Sequence, residues 1–196
     1  MIVIDWNQLR LVFGDFLDKN QIDGFNAIID AFNTLRISDK RIIAYILATC
    51  IFETSKKMLP KEETGSDEYF RSMYDIKGER SSVAVSMGNT EEGDGKKYKK
   101  RGVISILGKT AYTKFGELIG EDLVNNPELV LDLKISTKLL VEGMLKGWYT
   151  GVSLYNYITP SKTDYINARR TVNGVDNSKR ISLMAEQLEK TIKEST

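Results

Sequence analysis

The chain has 196 residues, of which 41% are hydrophobic and 28% charged, the composition of an ordinary globular chain. Twenty-eight Lys and Arg balance 27 Asp and Glu, so no global field argues for nucleic acid or an anionic membrane. With no histidine and one cysteine, Cys50, there is no Ser-His-Asp or Cys-His machinery, no His-ligated zinc and no internal disulfide. Any acid-base work falls to carboxylates, lysines or tyrosines.

The amphipathic start, MIVIDWNQLRLVFGDF, carries Asp5, Arg10 and Asp15 and lacks the layout of a signal peptide. No apolar run is long enough to span a bilayer. Residues 5–17 read as a helix with Trp6, Leu9, Val12, Phe13 and Phe16 on one face. Residues 21–35 repeat the pattern through Ile22, Phe25, Ile28, Ile29 and Phe32. Ser38 is the expected N-cap of a third helix over 39–54 that carries Ile42, Ile43, Ile46, Leu47 and Cys50.

From Lys56 to Lys100 the chain turns polar and glycine-rich, which predicts a functional loop or small lobe, with a short helix near 67–74. Val103 to Leu107 reads as one side of a small hairpin. Helical periodicity returns at 109–118 and 135–147, and a last pair covers 161–172 and 177–193, the second capped by Asp176 or Asn177. The expected class is mainly α (α+β): one domain over 1–196 with a loop and hairpin lobe inserted at 56–108.

Glu53 follows Ile46 and Cys50 at helical spacing and continues their apolar stripe. A carboxylate there is partly withdrawn from water, the setting of a general acid; the plainer reading is a helix end tipping its last charge outward. Glu62 and Glu63 come just beyond Pro60, on a loop able to turn back toward Glu53. Two carboxylates across a cleft suit glycoside hydrolysis, and a solvated acidic pair is the alternative. Read as a strained charge, Glu53 is expected to cost stability, so that Glu53→Gln leaves the fold as stable or more so. The run Lys96 to Arg101, broken by Tyr98, attracts a polyanion or forms a solvated hairpin edge. Gly93-Asp94-Gly95 reads as a turn. Trp148 and Tyr149 stack on a sugar or fill a helix end.

Segments in this order resemble the family 19 glycoside hydrolases, in particular the chitinase-like endolysins of phages and prophages. FGDFLDKNQIDGFNAIIDAF resembles the family's first helices, and RIIAYILATCIFETSKKMLPKEE its "LAYxLATxxHETxxTMxPxxE" segment. YFRSMYDIKGER, GNTEEGDGKKYKKRG, DLVNNPEL, EGMLKGWYTG and DYINARRTVNGVDNSKRI follow. The resemblance implies a lysozyme-like helical domain with a lobe flanking a substrate cleft. It places Glu53 on the general acid and Glu63 on the water-activating acid of an inverting pair, with Glu62 as the fallback. It places Tyr98, Arg101 and Gly102 at the start of the family's hairpin, Ser105 on a substrate-binding glutamine, and Asn173 and Arg180 along the cleft, and implies Tyr98, Arg101, Ser105, Asn173 and Arg180 as substrate-binding residues.

Departures accompany the matches. Phe52 stands for the histidine before the acid, and KRGVISILGKTAY for "GRGxxQxTGRxNY". Ser105, Leu107 and Ala111 therefore replace a Gln, a water-holding Ser or Thr, and an Asn. The implied protein is an endolysin-like hydrolase cutting the β-1,4 linkages of peptidoglycan or chitin-type glycans in cell lysis. The alternative is a weakened or inactive lysozyme-like fold that serves a phage as a structural or binding protein. The expected partner is the polysaccharide, with no cofactor, metal, nucleic acid or membrane insertion. The expected state is a monomer held in the host cytoplasm before lysis or carried in a virion.

Overall fold

The computed structural model describes residues 1–14 and 17–194, so Asp15 and Phe16 of the first expected helix lie outside the described residues. In chain order the elements are β1 (Ile2–Ile4), α1 (Trp6–Phe13), α2 (Lys19–Thr34), α3 (Lys40–Glu53), β2 (Lys61–Glu62), α4 (Asp67–Tyr74), α5 (Ser81–Ser86), α6 (Asp94–Lys97) and β3 (Arg101–Gly102). There follow α7 (Lys109–Ile119), α8 (Leu133–Lys146), β4 (Ile158–Thr159), β5 (Lys162–Thr163), α9 (Tyr165–Ala168), α10 (Ser178–Glu189) and β6 (Ile192–Glu194). The fold is mainly α with small antiparallel ribbons, in keeping with the lysozyme-like class expected from the sequence. It divides into two compact units, one of Met1–Leu59 with Thr137–Thr196 and one of Pro60–Ser136.

The first unit is built around α3. Residues 42–51 are buried on every side, as an apolar helix without a polar face requires. Its main partner is α10, which buries Ile181, Ala185 and Leu188. The N-cap is Asp39, whose carboxylate accepts from the Arg41 N–H, rather than Ser38. Phe25 of α2 meets Trp6 and Phe13 edge-on at 6.2 and 5.4 Å. Asp18 and Gln21 form a reciprocal capping box at the start of α2. Two features were not expected: β1 pairs antiparallel with β6, Ile4 opposite Ile192, and the segment 161–172 is not one helix. It comprises β5, the single turn of α9 and a 3-10 turn at Arg169–Thr171. Asn177 precedes α10 in a left-handed conformation and makes no side-chain cap.

The second unit holds most of the glycine-rich stretch, and it is ordered rather than an open loop. Ser66 caps α4, the helix expected at 67–74. Buried polar side chains tie the segments that follow. One Asp75 oxygen accepts the Gly93 and Gly95 N–H groups at 2.7 and 3.3 Å. Asn89 donates to the Tyr74 carbonyl and accepts from the Lys109 N–H. Gly95 passes so close to α4 that a Cβ there would lie 2.7 Å from the Phe70 carbonyl oxygen. The hairpin partner also differs from the expectation: β3 pairs with β2, Glu62 opposite Arg101. Residues 103–107 form a tight turn closed by the Arg101–Ile106 bridge.

Candidate functional site

Within the first unit, Glu53 is the last residue of α3, and its side chain is 20% exposed. The buried guanidinium of Arg169 donates to Glu53 Oε1 at 2.7 Å and reaches the Asp176 carbonyl through Nε at 3.3 Å. The stripe that carries Glu53 to the end of α3 thus ends on a buried cation. Arg169 was missed by the sequence reading, although a signal was present. It lies four residues after buried Tyr165 and beside buried Ala168, the same helical spacing that singled out Glu53.

Phe52, at the position of the family's histidine, lies under two guanidinium groups, Arg169 at 5.5 Å and Arg180 at 5.7 Å from the ring centre. Arg180 is exposed and also lines an apolar groove of about 550 Å³ with Phe13, Ile51 and Leu183. Asn173 is exposed; its backbone N–H donates to the Arg169 carbonyl and its side chain accepts from the Gly174 N–H. Tyr149 packs its ring on Gly143 and donates its hydroxyl to the Leu139 carbonyl. Burial, and then the charge of Glu53, push its phenol far above the ordinary range.

Three non-glycine residues just after Glu53 hold left-handed backbone: Ser55, Lys56 and Met58, with φ of 51°, 69° and 59°. The conformation is held by Thr54, whose hydroxyl accepts the Met58 N–H, and by Gln21, which donates to the Lys56 carbonyl. Buried Met58 then sits against Gly24.

Within the second unit, β2 and the residue after it sort the acidic pair. Successive side chains of an extended segment leave on opposite faces. Glu62 faces its cross-strand partner Arg101, which donates through Nε at 2.7 Å, while Lys99 approaches the other oxygen at 3.3 Å. Burial raises the Glu62 carboxyl, but Arg101 and Lys99 outweigh it and hold it below the usual carboxylate range. Glu63 leaves on the other face, its side chain 15% exposed. Its Oε1 accepts from the Tyr69 and Tyr74 hydroxyls, each at 3.0 Å, and Lys100 lies at 3.8 Å. Its Oε2 is enclosed and accepts from no group among the described residues.

Arg101 is buried and spans Glu62, the Lys97 carbonyl and the Tyr112 hydroxyl. Tyr98 is also buried, with its hydroxyl on the Val124 carbonyl and its ring 5.4 Å from that of Tyr112. Both therefore support the ribbon from behind. Ser105 is exposed on the tight turn, and Leu107 and Ala111 are half-buried. The basic run is engaged along its length. Lys96 pairs with Asp67, Lys97 lies over Tyr98, Lys99 over Phe70 and Lys100 over Tyr74.

The family model of the class I chitinases, glycoside hydrolase family 19, matches residues 19–176. The chain belongs to glycoside hydrolase family 19. It is a glycosidase by family, and the matched span contains Glu53, Arg169 and the whole Glu62–Glu63 ribbon. No curated protein matches this family 19 chain. Among its described residues, no helix is long and apolar enough to cross a membrane.

Proposed function

We propose that this family 19 glycosidase is an endolysin-like hydrolase that cuts β-1,4 linkages of peptidoglycan, or of chitin-type glycans, with inversion. Glu53 protonates the leaving oxygen as the C–O bond breaks. Glu63 takes a proton from the water that attacks the anomeric carbon. Arg169 fixes the Glu53 carboxyl through Oε1. Tyr98 and Arg101 hold the ribbon that carries Glu63, while exposed Ser105, Asn173 and Arg180 are the groups offered to sugar. The observation that carries the reading is the different treatment of two adjacent acids. Glu62 is held on both oxygens by cations, while Glu63 accepts from two phenols at Oε1 and its enclosed Oε2 accepts from no group among the described residues. The protein works as a monomer, from the host cytoplasm at lysis or from a virion.

The experiment is clearing of purified peptidoglycan beside a glycol-chitin assay. Glu53→Gln and Glu63→Gln should abolish cleavage, and Glu62→Gln should be milder. Equal losses at Glu62 and Glu63 would remove the basis for the assignment.

A second reading, a binding or structural module with little catalysis, is favoured by Ser105, Leu107 and Ala111. Losing one preorganised polar group costs roughly a hundred- to a thousandfold in rate. Restoring the family's groups (Ser105→Gln, Leu107→Thr, Ala111→Asn) should raise hydrolysis sharply in a weakened enzyme. A folded triple variant that stays inactive, from an inactive parent, would select the second reading.

A further inference from the structure

The groove beside Arg180 joins apolar surface to one sign of charge. Ile181, Ala185 and Leu188 turn α10 toward α3. Helical spacing then sets Arg180 and Leu183 on a neighbouring face, where Leu183 stays 53% exposed. With Phe13 at the end of α1 and Ile51 near the end of α3, Leu183 gives the groove an apolar floor. Its volume of about 550 Å³ falls within the ~300–1,000 Å³ of ordinary ligand sites. Lys56, Lys179 and Arg180 stand exposed around it, and no carboxylate is among the described residues that line it. Elsewhere on the surface basic side chains meet acids, as Lys96 meets Asp67. Among the described residues these three cations pair with none; Lys56 lies over the Phe13 ring at 5.5 Å and Arg180 over Phe52 at 5.7 Å. Phe52 also links the groove to the acid, because it lies under Arg169, which donates to Glu53.

We propose that this groove holds the peptide that branches from the glycan of peptidoglycan. Its free carboxylates rest on Lys56 and Lys179, and its alanine methyl groups on Phe13, Ile51 and Leu183. Arg180 stands where sugar and peptide meet. The inference rests on the reading of Glu53 as the acid of a glycan-cutting site, and it decides between the two glycans. Chitin is uncharged and would leave the cations unanswered. A polyphosphate chain would answer the charge and leave the apolar floor in water, which forfeits its burial. The branching peptide brings both kinds of group, and it is tied to the sugar, so it reaches this groove with the substrate. Asn177 lines the same groove and makes no cap to α10, so its amide suits a peptide bond.

The test uses the full chain and measures binding by calorimetry, and cleavage separately. The probes are a soluble peptidoglycan fragment with its peptides, the same fragment stripped of them by an amidase, and phosphatidylglycerol vesicles. The fragment with peptides should bind roughly tenfold tighter than the stripped one, and the preference should shrink in about 0.5 M salt, as exposed ion pairs do. Lys179→Glu should cut that preference to about twofold. Leu183→Asn should also reduce it, while leaving its salt dependence in place. Both side chains are exposed, so neither change empties the core. Equal binding of the two fragments overturns the proposal, as does a preference that both variants leave intact. Vesicle binding with no preference between fragments overturns it in favour of a lipid. Peptide-selective binding without cleavage keeps the groove and overturns the hydrolase reading. Cleavage of both fragments with equal KM keeps the hydrolase and overturns the groove.

Discussion

Replacing Glu53 by Gln is expected to destabilise the protein as well as silence it. Read as a strained acid, Glu53 promises the opposite, and Arg169 reverses the sign. At the observed 2.7 Å the gross attraction is about 6 kcal/mol with an effective dielectric of about 20. Removing both charges from water offsets most of that, and a hydrogen bond between charged groups nets about 1.5–3 kcal/mol. Glutamine keeps a neutral acceptor for the guanidinium, worth about 1 kcal/mol. The expected loss for Glu53→Gln is therefore about 1–2 kcal/mol, rising to about 3 or more for Glu53→Ala, which leaves Arg169 buried without this acceptor. In a chain of this size the glutamine variant should melt about 2–8 °C lower. Thermal unfolding by circular dichroism measures this, and a double-mutant cycle with Arg169→Met isolates the pair, with an expected coupling of about 1.5–3 kcal/mol. A glutamine variant as stable as its parent, with no coupling in the cycle, would refute the reasoning.

Ser55→Gly should stabilise by about 0.5–1 kcal/mol, because the left-handed strain it relieves exceeds the added freedom of the unfolded chain, and the urea midpoint should rise. Gly24→Ala should cost about 2 kcal/mol or more, since its Cβ would lie 2.3 Å from the Met58 carbonyl oxygen; an unchanged midpoint would show that the turn gives way freely. Burial raises the Asp75 carboxyl, but the N–H groups of Lys77, Gly93 and Gly95 outweigh it and hold it below the usual range. Its folded value lies below its unfolded one, so its contribution is present above about pH 4 and lost as pH falls through the folded value. Urea midpoints from pH 7 down to 3 should flatten in Asp75→Asn, and an unaltered acid slope would count against this account.

The sequence made α3 and Glu53 readable because both follow from one local rule, an apolar stripe at helical spacing. A short helix near 67–74 was also expected, and the structure caps it with Ser66. What stayed hidden depends on distant partners. A three-residue strand such as β1 carries little pattern of its own, and its pairing with β6 is invisible locally. The stretch before Lys100 reads as loop because much of its order comes from Asp75 and Asn89 reaching across many residues. The site divides in the same way. The acidic pair was visible, but its sorting required β2 to meet β3. Arg169 and Arg170 are adjacent, and the spacing of the first from Tyr165 is the one local sign that it turns inward.

The order in which the chain leaves the ribosome gives the β1–β6 pairing a further meaning. Pro60–Ser136 is continuous and can close on itself while the rest is still being made. The body around α3 cannot, because α10 and β6 arrive last and one of them covers the most apolar helix. Until then the face of α3 that α10 covers stays open. A ribosome stalled shortly before Ser178 should thus display a finished half able to resist protease and an unfinished half that does not. The unit bearing Glu63 would exist before the one bearing Glu53.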